Sequence, residues 1–119
     1  MFDLNSFYEK CYTGEKVDCG EVFDYIRQFK YVILRGAAAQ GAAMGKRLQK
    51  ENIQITAYWD MRAEELVSVN GVPVELPFAS EYEREETIII HTIPNHVIMA
   101  RLMMEMRSQG YKNIIRGDI

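Results

Sequence analysis

Residues 31–50, Tyr-Val-Ile-Leu-Arg-Gly-Ala-Ala-Ala-Gln-Gly-Ala-Ala-Met-Gly-Lys-Arg-Leu-Gln-Lys, constrain the fold more than any other part of the chain. Val32, Ile33 and Leu34 form a short apolar run rich in β-branched residues and ended by Gly36, the pattern of a strand buried on both faces. A turn of small residues follows, then a segment that reads as a helix. Gly36, Ala38 and Gly41 are spaced G-x-A-x-x-G, one residue away from G-x-G-x-x-G. In the full motif the first glycine makes a tight turn, the second lets backbone approach a pyrophosphate, and the third lets helix and strand pack closely. Gly36 and Gly41 keep the first and third roles, while the methyl of Ala38 weakens close phosphate approach. Backbone N–H groups at the helix start would face an anion there. A turn built from small residues for packing alone is the competing reading. A P-loop fits less well, because Gly41 is followed by Ala42 and Ala43 and Lys46 comes later.

The second strand is expected over residues 53–60, alternating at first and then running apolar. It ends at Asp60, 24 positions after Gly36. An acid about 20 residues beyond the glycines accepts hydrogen bonds from a ribose in dinucleotide-binding folds; a solvated acid at a strand end is equally open. Arg62 fits either a phosphate contact or pairing with Glu64 or Glu65. Residues 66–76 alternate on both sides of Asn70-Gly71, which predicts a hairpin with a two-residue type I′ turn. Pro73 cannot donate to a ladder, so its strand lies at an edge or is very short. This leaves too few residues for a full helix between the second and third parallel strands, so that crossover is truncated. Residues 77–86 are polar and acidic, fitting a loop or a short helix.

Residues 87–92 read as the next buried strand, and Asn95 as the N-cap of a helix ending at Gln109 with Gly110 at C′. Four of the seven methionines lie in that helix, and flexible core filling accounts for them better than a binding surface. A last short strand is expected over residues 111–115. At the other end, residues 1–30 read as a helical prefix: a short amphipathic stretch over 4–11, then a helix whose Val22, Ile26 and Phe29 share one face. This prefix is expected to cover a sheet edge or contact a partner chain. The main domain is then residues 31–119, in one compact whole with the prefix, and the end of the chain just after a strand fits one domain of a longer protein.

The net charge of −3 gives no electrostatic case for nucleic acid. No apolar run reaches the ~18 residues a membrane span needs, and the first residues lack the marks of a signal peptide, so the cytoplasm is the expected compartment. Cys11 and Cys19 are the only cysteines and fit two reduced thiols. His91 and His96 lack a metal spacing, and no metal is expected. Ser68, Ser80 and Ser108 sit in no nucleophile-elbow context.

The order of these pieces resembles the small Rossmann-like domains attached to bacterial sugar- and polysaccharide-modifying proteins: sugar acyltransferases, FkbM-type methyltransferases, and glycosyl- or glycerophosphotransferases. The resemblance covers roughly residues 31–115. It implies a three-layer α/β fold with a parallel sheet of order about 3-2-1-4-5, its cleft at the carboxyl ends of the strands. It implies a nucleotide-type ligand, NAD(P) or a nucleotide-sugar, held by Gly36, Ala38, Gln40, Gly41 and Asp60 with Asn95 flanking. His91, Thr92, Asn95 and His96 are expected opposite the glycine turn, with His91 a weak candidate for general acid or base catalysis. The expected function is a nucleotide- or nucleotide-sugar-binding accessory domain of surface-carbohydrate metabolism, not catalytic alone. An NAD(P)-dependent or sugar-modifying enzyme domain and a structural docking or dimerisation module with an empty cleft are the alternatives.

Overall fold

The computed structural model describes residues 6, 9, 19–93 and 95–117, without the side chains of Cys19 and His96. The expected amphipathic stretch over residues 4–11 lies outside the described residues apart from Ser6 and Glu9, as do both cysteine side chains. Among the described residues from Cys19 onward, six strands and four helices follow in chain order. They are α1 (Cys19–Ile26), β1 (Tyr31–Arg35), α2 (Ala39–Lys50), β2 (Ala57–Trp59), α3 (Ala63–Leu66), β3 (Ser68–Val69), β4 (Val72–Glu75), β5 (Thr87–His91), α4 (His96–Ser108) and β6 (Ile114–Arg116), with a 3-10 turn at Arg84–Glu86. The sheet order is β3-β4-β2-β1-β5-β6. Only the β3–β4 pair is antiparallel. This is an α/β fold with a mostly parallel sheet, compatible with a Rossmann-like arrangement.

The pleat sorts the core into two layers, because successive side chains of a strand face opposite sides. Val32, Leu34, Ile88, Ile90 and Ile115 face one side, where they pack in one cluster with Met44 and Leu48 of α2 and Val22, Phe23 and Ile26 of α1. Ile33, Ile89 and Ile114 face the other, with Met106 of α4, Trp59 and Tyr111. Helix α1 therefore covers a face of the sheet rather than an edge. It lies beside α2, with the Arg27 guanidinium donating to the Glu51 carbonyl at 2.7 Å and the Arg47 guanidinium 5.5 Å from the Phe23 ring centre.

Local chemistry explains the boundaries. Asn70 and Gly71 have φ of +53° and +77°, as a type I′ turn requires. Pro73 pairs with Ser68 of the two-residue edge strand β3, which tolerates its missing donor. Asn95 caps α4, its Oδ1 accepting from the Val97 and Ile98 amides at 3.0 and 3.1 Å. Gly110 follows the helix with φ of +92°. Strand β2 is shorter than residues 53–60: the Val32 amide donates to the Thr56 hydroxyl rather than to a backbone carbonyl, so the ladder begins at Ala57, although Ile53 and Ile55 are buried. Strand β6 begins later than expected, at Ile114, because Tyr111 turns into the second core cluster.

Helix α2 packs so close to β2 that a Cβ on Gly45 would fall well within contact distance of the Tyr58 hydroxyl. Gly45→Ala is therefore expected to cost about 1–3 kcal/mol through overpacking. Tyr58→Phe removes the atom that clashes, so the double variant should lose less stability than the two single losses added. Denaturant unfolding of the four proteins checks this, and strict additivity would count against the contact.

Candidate functional site

Strand β1 ends at Arg35, and the chain turns at Gly36 with φ of +115°, a conformation that favours glycine. The Gly36 amide donates to the Trp59 carbonyl of β2 at 2.8 Å. The next amide, Ala37, donates to Asp60 Oδ2 at 2.9 Å. From the β5 side, the Thr92 hydroxyl donates to the Arg35 carbonyl at 3.0 Å and lies 3.3 Å from the Gly36 carbonyl oxygen. The turn is thus braced from both neighbouring strands. Any Cβ on Gly41 would collide with the Gly36 carbonyl oxygen, which makes the third position of the motif a strict packing requirement.

Helix α2 then begins with Ala38 as N-cap, in extended conformation and with no side chain capping the helix. Its first intrahelical bond runs from the Ala42 amide to the Ala38 carbonyl. No acidic residue stands in its first turn. The positive end of the helix is consequently left to whatever fills the space in front of it.

That space is a cleft of about 590 Å³ at the carboxyl ends of β1, β2 and β5, within the size range of small-molecule sites. Gly36, Ala38, Gln40, Gly41 and Asp60, five of the six binding residues expected from the sequence, line it together. Thr92 lines it as well, with Arg35 and Arg62. Its apolar wall comes from Met61, Ile93, Ile98 and Leu102. The sequence reading missed this wall, although Ile98 and Leu102 are spaced i, i+4 on one helical stripe.

Asp60 is 7% exposed. Its Oδ1 accepts from the Arg62 amide at 2.9 Å and from Arg62 Nε at 3.2 Å. Its Oδ2 accepts from Ala37 and, at 3.3 Å, from Arg62 Nη2. Burial pushes the carboxyl pKa up, but the hydrogen bonds from Arg62 and from the two amides outweigh it and hold the group below its ordinary value. Asp60 is an ionised brace of the turn, and its roughly four lone-pair sites are all occupied. Arg62 pairs with Asp60 rather than with Glu64 or Glu65 and occupies the lone pairs that the expected ribose contact would use.

Asn95 and His91 do not line the cleft. Asn95 spends its acceptor on capping α4. His91 is 1% exposed and sits between Arg35 and Arg116 in the parallel register. Its Nδ1 accepts from the Ile93 amide at 3.3 Å, which leaves the proton on Nε2, an atom without a hydrogen-bond partner among the described residues. Burial, then the charge of Arg35, lowers its pKa to about 4, with the Met99 backbone opposing and Arg116 adding to the effect. His91 is enclosed between the sheet and α4 and does not line the cleft, so the geometry lends no support to the catalytic role expected of it. Among the described residues no cluster of His, Cys, Asp and Glu has the makings of a metal site, and no helix is long and apolar enough to cross a membrane.

No protein-family model matches the chain, and no curated protein or solved structure matches it.

His91 gives the fold an acid-sensitive element. Its folded pKa of about 4 lies below the ordinary 6.5, so the unfolded chain binds more protons between those values. The stabilising contribution is complete above pH 6.5, falls as pH drops through this window, and is gone below about pH 4. The loss is roughly 3 kcal/mol at 1.36 kcal/mol per pKa unit. His91→Asn keeps an acceptor for the Ile93 amide without titrating, and unfolding free energies measured from pH 7 to 4 should show a flatter profile for it. Identical slopes would assign the acid sensitivity elsewhere.

Proposed function

We propose that the cleft binds a nucleotide or nucleotide-activated sugar, and that this chain alone does not catalyse a reaction. The uncapped start of α2, opening into the cleft at a glycine turn, carries the reading. Backbone N–H groups and the helix dipole together favour a phosphate at such a point. The apolar wall of Met61, Ile98 and Leu102 suits a base or sugar face, and a bare inorganic anion would leave it unused. Taking β1, β2, β4, β5 and β6 as strands one to five of a doubly wound 3-2-1-4-5 sheet sets the crevice where β1 and β5 diverge, the usual ligand position in such sheets. Arg62, half exposed beside Asp60, is free enough to swing onto a phosphate, and that movement would return Asp60 lone pairs to a ribose. The setting in surface-carbohydrate metabolism comes from the resemblance of the motif order.

The docking-module alternative draws on one observation. Val97 and Met104, 74% and 73% exposed, lie seven residues apart on the same side of α4.

Thermal unfolding with NAD(H), NADP(H), UDP- and CDP-sugars, CTP, coenzyme A and S-adenosylmethionine tests the proposal. A ligand of the folded state present at about 100 times its dissociation constant adds roughly 2.7 kcal/mol, a shift of several degrees for a domain of this size. Ala39→Asp puts a carboxylate in the first turn of α2, where it favours the helix by about 0.3–1 kcal/mol and repels a phosphate. It should raise the melting temperature of the free protein and abolish the ligand shift. No shift with any compound would overturn the nucleotide reading.

A further inference from the structure

Arg35 is 6% exposed, yet it forms no ion pair among the described residues. Its side-chain hydrogen bond there runs from Nη1 to the Trp59 carbonyl at 3.1 Å. That carbonyl already accepts the Gly36 amide, so the turn does not need the guanidinium to satisfy it. Asp60, the acid at the same end of the sheet, is committed to Arg62 and Ala37. Glu105 on α4 is exposed, and it and Asp60 act on the Arg35 charge through space without an ion pair to it. A buried charge without an ion-pair partner is costly, and an apolar residue would fill the position more cheaply. Arg35 nevertheless lines the same cleft as the uncapped residues Ala39, Gln40 and Gly41.

We propose that Arg35 is a binding residue whose counter-charge is the ligand itself: the cleft seats a diphosphate-type group between the start of α2 and the Arg35 guanidinium. This rests on the cleft being a nucleotide-type site, as proposed above, and specifies the anionic part of that ligand. Two positive poles lie at one turn, the helix end and the guanidinium, and a diphosphate presents two anionic groups to meet them. A planar guanidinium held by one hydrogen bond to Trp59 keeps further donors for phosphate oxygens.

The test compares the wild-type chain with Arg35→Met and Arg35→Lys in thermal unfolding at low ionic strength, with and without inorganic pyrophosphate. Pyrophosphate should stabilise the wild type and, more weakly, Arg35→Lys. Arg35→Met should lose about tenfold or more in apparent affinity, as expected for a charged hydrogen bond. Without pyrophosphate, Arg35→Met should melt at the wild-type temperature or above it, because the substitution removes a buried charge that has no ion pair. A markedly lower melting temperature for ligand-free Arg35→Met would make Arg35 a structural brace and overturn the inference. So would equal pyrophosphate responses in wild type and Arg35→Met, or no wild-type response at all. The nucleotide panel is read separately: a nucleotide shift that survives Arg35→Met removes this role for Arg35 and leaves the cleft proposal standing.

Discussion

The start of α2 is pressed against the turn that precedes it, with no room for a side chain between Gly41 and the Gly36 carbonyl. The geometry of the cleft depends on this contact. A helix held farther from β1 would not direct its first amides at the carboxyl ends of β1, β2 and β5, and the turn would lose its shape. The contact is maintained from both sides. Asp60 reaches across from the end of β2 to the Ala37 amide, and Thr92 reaches from the end of β5 to the carbonyls of Arg35 and Gly36. Residues 23, 57 and 56 positions apart are thereby tied into one small structure, and the parallel register of β1 with both neighbours holds them there.

The opposite face of the sheet is covered differently because the middle crossover is short. Between β2 and β4 the chain has room only for α3 and the edge strand β3. The segment after β4 does the covering instead. Phe78 and Tyr82 pack with Trp59 and Tyr111, their rings meeting at 5.1–6.3 Å, an arrangement favoured by ring quadrupoles as well as by burial. Glu75, at the end of β4, organises the polar side of this layer. Its carboxylate accepts from the Trp59 indole at 2.9 Å, the Tyr82 hydroxyl at 2.8 Å and the Ser80 hydroxyl at 3.2 Å. Burial and then the Glu75 carboxylate push the Tyr82 phenol up to about 12. A loop does here what a crossover helix does elsewhere, at the cost of fixing several aromatic rings with specific hydrogen bonds.

What could be read from the sequence was local chemistry. Gly36 and Gly41, the Asn70-Gly71 turn, Asn95 as a cap and Gly110 beyond α4 each follow from the conformational demands of one residue in its own segment. The apolar strand runs gave the α/β class. The misreadings involve partners distant in sequence. Thr56 shortens β2 because its hydroxyl meets an amide 24 positions earlier. Nothing in the spacing of Val22 and Ile26 distinguishes a helix on the edge of a sheet from one on its face. His91 ends a strand at the cleft, but the alternation of β5 turns it to the face under α4, in register with two arginines. Asp60 was found from its distance to the glycines; that Arg62 would close over it depends on the path of the chain after β2, which two residues of sequence do not encode.

The charges of the cleft run against those of the chain. The protein carries a net charge of −3, which disfavours long polyanions. The charged residues lining the cleft are Arg35, Asp60 and Arg62, two positive and one negative, and the amino end of α2 adds about half a positive charge. At physiological salt, charges are screened over about 8 Å, so a small anion inside the cleft is governed by this local excess and not by the surface as a whole. The Asp60–Arg62 pair matters for the same reason. Had Asp60 paired with Arg35, the turn would still be braced, but the buried guanidinium would be neutralised and the cleft would have little left to offer a phosphate. By pairing with the exposed arginine instead, Asp60 holds the turn in shape and acts on the buried one only through space. The same carboxylate thus supports the fold while keeping the cleft positive.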